Sequence, residues 1–276
     1  MDLNPLIAIP VFNEGKNLPC LFAGLKKWKN NILFFDDGST DNSLELIKSS
    51  QFNFITIPSN KGLANFYIHI LAYADRLKCT QIITLDSDGQ HPPGYIDDFI
   101  GKLQNGSIVI GNRFSDLENI PESKIASNLF AIMLTKQIFN VELPDVACGF
   151  RGFNSIINRK FIFKTNRFGI IYEQLFKHLT LDPSLISYVK IPAIYPKYRP
   201  LYTSQHELIG LLDAALLFTE KKSVKNIHSK ALQSADFSID LCGISFNARF
   251  EPPFGYIFNT NTAVASKYFN LISNST

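Results

Sequence analysis

The sequence has no apolar stretch long enough to cross a membrane as a helix. Such a helix needs about 20 apolar residues, and the nearest candidate, residues 208–218, is shorter and contains Asp213. The amino terminus also lacks the basic flank and the long apolar core of a signal peptide. These absences predict a cytoplasmic protein, either free in solution or in peripheral contact with the cytoplasmic face of a membrane.

Cysteine and concentrated positive charge are also scarce. The four cysteines are far apart, and no Cys-x-x-Cys pair or Cys/His cluster has the spacing of a zinc site. Scattered cysteines of this kind agree with a reducing compartment. The 27 basic and 24 acidic residues leave a net charge of +3, without a long basic run. We therefore expect no nucleic acid partner, because nucleic acid is bound through concentrated basic surfaces.

Short apolar runs alternate with helical patterns over the first 110 residues. The runs predict strands at residues 6–12, 32–35, 52–57, 81–85 and 107–110. Apolar spacing between them predicts helices at residues 14–28, 44–47, 62–77 and 95–103. This alternation is typical of βαβ units, so we expect an α/β fold with a mostly parallel, Rossmann-like sheet flanked by helices. Sheets of this type bind ligands at the carboxyl edge of their strands.

The second half of the chain is less regular. Its apolar spacing predicts helices at residues 123–140, 171–179 and 206–219. Strands are predicted within CGFRGF (148–153) and at residues 186–191, 237–241 and 244–250, with a loop over 192–200. The helix over 123–140 is either a core helix or one that dips into a membrane interface. Neither an oligomeric state nor the role of residues 226–276 is predicted by these patterns.

Three polar turns follow predicted strands, and we expect all of them at the carboxyl edge: PVFNE, DDGSTD and DSDGQH. In the last, Asp86 and Asp88 follow a buried strand, and Gly89 permits an unusual backbone turn. Carboxylates are ligands that Mg²⁺ and Mn²⁺ prefer and commonly share with substrate phosphates. Gln90 or His91 is a candidate further ligand. The alternative is an Asp-rich turn whose side chains cap the backbone.

The other two turns also have ordinary structural explanations. Thr40 or Asp41 suits the cap of the following helix, but Asp37, after another carboxylate, needs a partner such as a base or a ribose. Pro10 interrupts a strand, as is tolerated at an edge or where the backbone meets a ligand. Glu14 suits either a ligand contact or the first turn of a helix.

Taken in order, the motifs IAIPVFNEGKNL, LFFDDGSTDNSLE, NKGLANF, ITLDSDGQHPP, IVIGNRF and DVACGFRGF resemble the pattern of glycosyltransferase family 2. Within that family the chain is most similar to the polyprenyl-phosphate (dolichyl-phosphate) mannosyltransferase branch. The resemblance implies a GT-A fold with an acceptor-side extension. It places a glycosyltransferase domain at residues 1–222 and a C-terminal extension of unknown role at 223–276.

On the donor side the resemblance implies a nucleotide-sugar, linked to UDP or GDP, and a Mg²⁺ or Mn²⁺ cofactor. The implied metal ligands are Asp86, Asp88 and Gln90. The implied nucleotide-binding residues are Pro10, Phe12, Glu14, Asp37, Lys61, Gly62 and Asp86. The family usually has tyrosine where Phe12 stands, so a hydroxyl contact is missing here.

On the acceptor side the resemblance implies inverting transfer of a single sugar, of the hexosyltransferase type, to a polyprenyl phosphate. The implied catalytic residues are Arg113, Arg151 and Asp145. Arg113 and Arg151 would contact the acceptor phosphate, with an Asp145 ion pair as the alternative for Arg151. The family usually offers arginine and serine on the helix before CGFRGF, and here Lys124 and Ser127 are the nearest equivalents.

Other functions remain as alternatives. With a hydroxyl acceptor, in polysaccharide or glycolipid assembly, Asp145 is the candidate general base. A chain that binds nucleotide-sugar without turnover is a second alternative. Phosphatases of the haloacid-dehalogenase type also use two aspartates with Mg²⁺, but theirs follow the first core strand, whereas here they follow the fourth.

Overall fold

A computed structural model describes residues 5–103, 108–118, 120–195, 204–252 and 255–273. The predicted loop at 192–200 therefore lies outside the described residues from 196 onward. The strands are β1 (Leu6–Val11), β2 (Ile32–Asp36), β3 (Asn53–Thr56), β4 (Gln81–Thr84), β5 (Ile108–Asn112), β6 (Arg151–Asn154), β7 (Ile186–Lys190), β8 (Phe237–Leu241), β9 (Ile244–Glu251) and β10 (Gly255–Asn259). The helices are α1 (Leu18–Leu25), α2 (Ser43–Ser49), α3 (Leu63–Leu77), α4 (Ile96–Leu103), α5 (Glu122–Phe139), α6 (Ser155–Asn158), α7 (Gly169–Leu181), α8 (Gln205–Leu216), α9 (Lys222–Leu232) and α10 (Thr262–Ser273).

The chain forms two compact units that are interleaved in sequence. The first contains residues 1–111, 148–162 and 184–194, and the second contains residues 112–147, 163–183 and 195–276. The predicted domain boundary after residue 222 stays a prediction. The structure adds that residues 226–276 belong to the same unit as α5.

The first unit is built on a seven-stranded sheet with the order β3-β2-β1-β4-β6-β5-β7. Strands β1 to β4 pair in parallel, and β6 runs antiparallel between β4 and β5. The mostly parallel sheet predicted from the sequence is therefore confirmed. Because the strands β1, β2 and β4 are almost entirely buried, they are continuous apolar runs rather than alternating ones.

Two local features at the start of the chain have clear causes. β4 pairs with β1 only as far as Ala8, so Pro10 lies beyond that ladder, where a missing N–H is tolerated. The helix predicted from Glu14 begins instead at Leu18. Residues 14–17 form a turn with Asn17 at the N-cap position, and Pro19 occupies the first helical turn, where proline is favoured.

The second unit has α5 as its central helix. Its residues from Ala126 to Thr135, except Ser127, are buried. The Phe130 ring lies 5.0 Å from that of Phe258 and 5.6 Å from that of Phe246, measured between centroids, in the antiparallel sheet β10-β9-β8. A helix that is apolar on all sides is one that other elements cover. The alternative of a helix dipping into a membrane interface is therefore wrong, because the strands β8, β9 and β10 pack against the middle of α5.

Within the described ranges, no helix combines the length and apolarity needed to span a bilayer.

Replacing Phe130 with leucine should test how strongly the C-terminal sheet is tied to α5. We expect Phe130→Leu to lower the free energy of unfolding by about 1–2 kcal/mol, because the smaller side chain leaves part of the aromatic contact unfilled. Phe168→Leu is the matched control, since Phe168 in the same unit is exposed. Urea denaturation of both variants measures the difference. Equal effects would contradict the packing described.

Candidate active site

The turn after β4 is tied to the end of β1. The Ser87 hydroxyl donates to the Pro10 carbonyl oxygen at 2.7 Å. Gly89 has a φ of +84°, a left-handed conformation that glycine adopts without a Cβ clash. The turn is thus held in a defined shape at the carboxyl edge of the sheet, as predicted.

Asp88 and Gln90 form a closed pair within this turn. The Asp88 Oδ1 accepts from the Gln90 backbone N–H at 3.0 Å, and Oδ2 accepts from its side-chain Nε2 at 3.1 Å. This is the backbone-capping arrangement that the structural alternative predicted. The second hydrogen bond also fixes the Asp88 and Gln90 side chains next to each other. No three His, Cys, Asp or Glu side chains converge as a metal cluster in the part of the chain that the structure describes.

The buried His91 side chain is hydrogen-bonded to the backbone of Asp86. It is 2% exposed, and its Nδ1 accepts the Asp86 backbone N–H at 2.9 Å. A backbone N–H only donates, so Nδ1 is the acceptor of this bond, and Nε2 lies 3.7 Å from the Cys148 sulfur. The Asp86 Oδ2 also lies 3.3 Å from Nδ1, but two acceptors do not bond. His91 therefore positions the turn, and its Nδ1 is already engaged.

Gly149 forms the surface against which the Asp86 carboxylate lies. A Cβ at Gly149 would stand 2.8 Å from the Asp86 Oδ2 and 3.0 Å from its Oδ1. Any side chain there would push the carboxylate away. The close approach explains a glycine in CGFRGF that no local pattern singles out, because the partner is 63 residues away in the chain (149 − 86).

We expect Gly149→Ala to lower the turnover of the glycosyl transfer that the family resemblance implies roughly tenfold, because the Asp86 carboxylate must move. This corresponds to about 1.4 kcal/mol of activation free energy. Thermal stability should change little, since the displaced group is the end of a flexible side chain. Gly94→Ala is the control, because a Cβ there meets nothing within 4 Å. Steady-state kinetics and thermal melts of the two variants measure this. Equal turnover in both would contradict the placement of Asp86.

The turns after β1 and β2 are joined by hydrogen bonds. The Asn13 side-chain Oδ1 accepts from the Thr40 N–H at 2.8 Å, and the Asn13 N–H donates to the Ser39 hydroxyl at 3.0 Å. Burial acts to raise the pKa of Asp41. Hydrogen bonds from the Ser43 hydroxyl and from the N–H groups of Ser43 and Gly15 outweigh it, so the pKa of Asp41 lies below its ordinary value. All three polar turns thus lie at one edge of the sheet.

Asp37 has its partner within the protein. Its Oδ1 accepts from the Lys61 N–H at 2.9 Å, and its Oδ2 accepts from the Gly62 N–H at 2.7 Å. These amides precede α3, whose amino-terminal dipole also favours a carboxylate. The repulsion between Asp37 and the carboxylate before it, which a base or a ribose was expected to offset, is therefore offset at least in part by these backbone N–H groups. The nucleotide role of Asp37, Lys61 and Gly62 stays a prediction.

Phe12 and Glu14 complete the predicted nucleotide-binding set in this unit. The Phe12 side chain is exposed despite its size, which suits a ring that stacks on a ligand. The Glu14 Oε2 accepts from the Asn17 side chain at 2.6 Å, and its N–H donates to the Ser43 hydroxyl at 2.8 Å. Glu14 thus has a structural function in the turn before α1, and its contact with a nucleotide stays a prediction.

In the second unit, Arg113 and Asp145 form a two-pronged ion pair. Arg113 follows β5 directly, and its Nε and Nη2 donate to the two Asp145 oxygens at 2.8 and 3.0 Å. Asp145 is fully buried and also accepts from the N–H groups of Ala147 at 3.0 Å and Arg113 at 3.3 Å. The fork geometry makes this pair rigid. The ion pair with Asp145 that was the alternative for Arg151 is made by Arg113.

Arg151 is fully buried in β6, opposite Thr84 and Ile110 on the neighbouring strands. Its Nε donates to the Cys148 carbonyl oxygen at 2.8 Å. The charge is thus held in the sheet of the first unit. Its contact with an acceptor phosphate stays a prediction.

The predicted acceptor residues Lys124 and Ser127 lie on the first turns of α5. Both are half-buried, and the Ser127 hydroxyl donates to the Lys124 carbonyl oxygen at 3.2 Å. The next residue, Asn128, was not predicted. It is buried, and neither amide atom has a hydrogen-bond partner within the described residues. Buried polar groups are normally paired, so Asn128 is unusual. The one sequence signal for it is the presence of a polar residue within an apolar helix.

Comparison with known proteins shows a match to one protein family. The family model described as glycosyl transferase family 2 matches residues 6–163, more than half of the chain. An uncharacterized protein of Methanocaldococcus jannaschii is 33% identical over 58% of this chain and 74% of its own length. An undecaprenyl-phosphate 4-deoxy-4-formamido-L-arabinose transferase of Salmonella paratyphi B is 31% identical over 53% of this chain and 47% of its own length. The chain thus spans about half the length of that transferase.

Solved structures match the fold. Glucosyl-3-phosphoglycerate synthase from Mycobacterium tuberculosis, in complex with UDP, matches with a TM-score of 0.62 at 15% identity, over 76% of this chain and 79% of that one. The same enzyme crystallised with Mn²⁺, UDP-glucose and phosphoglyceric acid matches with a TM-score of 0.60 at 16% identity, over 76% and 79%. The predicted fold class, an α/β fold of GT-A type, is confirmed.

Proposed function

We propose that this glycosyltransferase, which belongs to glycosyl transferase family 2, transfers a single sugar with inversion from a UDP- or GDP-sugar to a polyprenyl phosphate. The observation that carries the proposal is the shaped turn after β4, in which Asp86 and Asp88 follow a buried strand at the carboxyl edge of the sheet. The Salmonella relative is named as a transferase that acts on undecaprenyl phosphate, and this supports the lipid phosphate as acceptor here.

On the donor side, the residues present fit a divalent cation. The Asp86 side chain is partly exposed above Gly149, and Asp88 is paired with the Gln90 amide. Mg²⁺ is commonly held by one or two carboxylates together with substrate phosphates, so Asp86, Asp88 and Gln90 would be sufficient protein ligands. A bound Mg²⁺ or Mn²⁺ would neutralise charge on the departing diphosphate. The chain's own contribution is to hold the Asp86 backbone through His91, to leave room for its carboxylate at Gly149 and to hold Asp88 through Gln90.

The nucleotide part of the donor fits the remaining polar turns of the first unit. We propose that Phe12 stacks on the base, as an exposed aromatic side chain suits. Pro10, Glu14 and Asp37 would lie around the base and ribose, with Lys61 and Gly62 towards the diphosphate. The hydrogen bonds of Asp37 to these two residues keep that backbone in a single arrangement.

On the acceptor side, the geometry favours a phosphate over a hydroxyl. A hydroxyl acceptor needs a general base, and the candidate Asp145 is fully buried with four donors on its oxygens. An ionised phosphate needs no base. Its oxygen attacks the anomeric carbon, the bond from that carbon to the diphosphate oxygen breaks, and the nucleoside diphosphate leaves with the electron pair. We assign contact with the acceptor phosphate to Arg113, with Lys124, Ser127 and Arg151 as further candidates.

A panel of donors tests this function. Release of UDP or GDP from nucleotide-sugars is measured with Mg²⁺ or Mn²⁺, with and without undecaprenyl phosphate. We expect one donor class to be consumed only when both the cation and the lipid phosphate are present. Transfer to a simple sugar instead would favour the hydroxyl-acceptor alternative. Binding of a nucleotide-sugar without turnover under every condition would favour a non-catalytic protein.

A further inference from the structure

The C-terminal helix α10 contacts the segment that carries Arg113. The Phe269 ring of α10 stacks on the Phe114 ring, with 5.2 Å between centroids and 18° between planes. Both side chains are almost completely buried. The family match covers residues 6–163, so Phe114 lies within the matched region and Phe269 lies outside it.

Phe114 in turn contacts the Arg113 side chain. The guanidinium carbon lies 5.6 Å from the centroid of the Phe114 ring, within the range of a cation–π contact. The same guanidinium is bound by Asp145. The Phe114 backbone is held as well, because its N–H donates to the Asn112 side chain at 3.0 Å. Arg113 therefore has one polar and one aromatic support.

The two supports differ in what fixes them. Asp145 is held by the N–H groups of Ala147 and Arg113, whereas the Phe114 ring has Phe269 stacked on it. Protein interiors are closely packed, so a smaller side chain at 269 lets the Phe114 ring shift into the space left. The guanidinium then loses its aromatic support. Small displacements of a group that orients a substrate lower reaction rates strongly.

We propose that Phe269 is a positioning residue for the acceptor phosphate, acting through Phe114 on Arg113. This inference rests on the proposed function, in which Arg113 contacts that phosphate. It assigns the C-terminal helix α10 a part in acceptor binding in addition to its part in packing. Donor binding should not depend on Phe269, because none of the residues proposed for the donor belongs to the series of contacts from Phe269 through Phe114 to Arg113.

The test compares Phe269→Leu with Phe258→Leu. Both substitutions remove the same atoms from a fully buried phenylalanine of the second unit. Phe269 packs on Phe114, whereas Phe258 packs on Phe130. We expect Phe269→Leu to raise the KM for undecaprenyl phosphate roughly five- to tenfold, with the donor KM unchanged, by the loss of positioning. Phe258→Leu should leave both KM values within about twofold. Equal acceptor KM values in the two variants would overturn the inference.

A double-mutant cycle gives a second readout that general destabilisation does not move. Phe114→Leu should raise the acceptor KM like Phe269→Leu, and the double variant should be no worse than either, because both act on one contact. Independent, multiplying effects would overturn the inference. Arg113→Gln separates it from the proposed function. If Arg113→Gln raises the acceptor KM and Phe269→Leu does not, only this inference fails; if Arg113→Gln leaves it unchanged, both fail.

Discussion

Replacing Asp88 with asparagine is expected to lower the turnover of sugar transfer roughly 100-fold or more, which corresponds to about 3 kcal/mol of transition-state free energy. An asparagine still accepts the Gln90 N–H through its side-chain oxygen, so the turn should keep its shape. What is lost is the negative charge that would hold the cation and, through it, the departing diphosphate. The measurement is the rate of nucleoside diphosphate release at saturating donor and acceptor.

Asp116→Asn is the matched control for this prediction. The Asp116 Oδ1 accepts the N–H two residues on, that of Glu118, at 2.9 Å, just as Asp88 accepts that of Gln90. It is exposed and lies outside the proposed donor and acceptor residues. We expect its turnover to equal that of the wild type. Turnover like the wild type in Asp88→Asn, or activity indifferent to a chelator, would rule out the metal role of this turn.

Replacing Arg113 with glutamine is expected to lower kcat/KM for the lipid phosphate roughly 100-fold, about 3 kcal/mol. The reason is the loss of the guanidinium charge that is proposed to contact the acceptor phosphate. The same change leaves the fully buried Asp145 without its counter-ion, so the free energy of unfolding should also fall by on the order of 3 kcal/mol. Steady-state kinetics and urea denaturation measure the two effects separately.

The double variant Arg113→Gln/Asp145→Asn separates stability from function. It removes both charges of the pair, so we expect it to recover part of the lost stability. Its kcat/KM for the acceptor should stay low, since the guanidinium is still missing. Recovery of acceptor kinetics together with stability would show that Arg113 acts only through the fold, and would sink its assignment to the acceptor phosphate.

Much of the first unit could be predicted from local sequence patterns. Strands β1 to β5 and helices α2 to α4 lie within a few residues of their predicted positions, because buried parallel strands are continuous apolar runs and helices repeat about every 3.6 residues. The start of α1 was misplaced, since Glu14 suits a helix as well as a turn. The elements α6, α9, β10 and α10 were missed, because short or weakly periodic segments are formed largely by tertiary contacts.

Some residues of the candidate site could likewise be found from the sequence, and others could not. Asp86 and Asp88 could be found from the sequence, because their significance depends on a local fact, two carboxylates directly after a buried strand. The Arg113–Asp145 pair spans 32 residues, and from the sequence an ion pair with Asp145 was considered only for Arg151, as the alternative to a phosphate contact. Gly149 and Asn128 give no local signal strong enough to identify them. What matters at Gly149 is the nearness of a distant carboxylate, and at Asn128 it is burial without a hydrogen-bond partner among the described residues.

The sequence by itself determined the α/β sheet, the meeting of three polar turns at its edge and the family to which the chain belongs. These follow from periodicity and from the order of motifs, both of which are local properties. Only the tertiary structure decided which charge pairs with Asp145, what supports Arg113 and why α5 is apolar on all sides. Those answers depend on contacts between segments far apart in the chain, because the partner of a buried group is chosen by packing rather than by spacing.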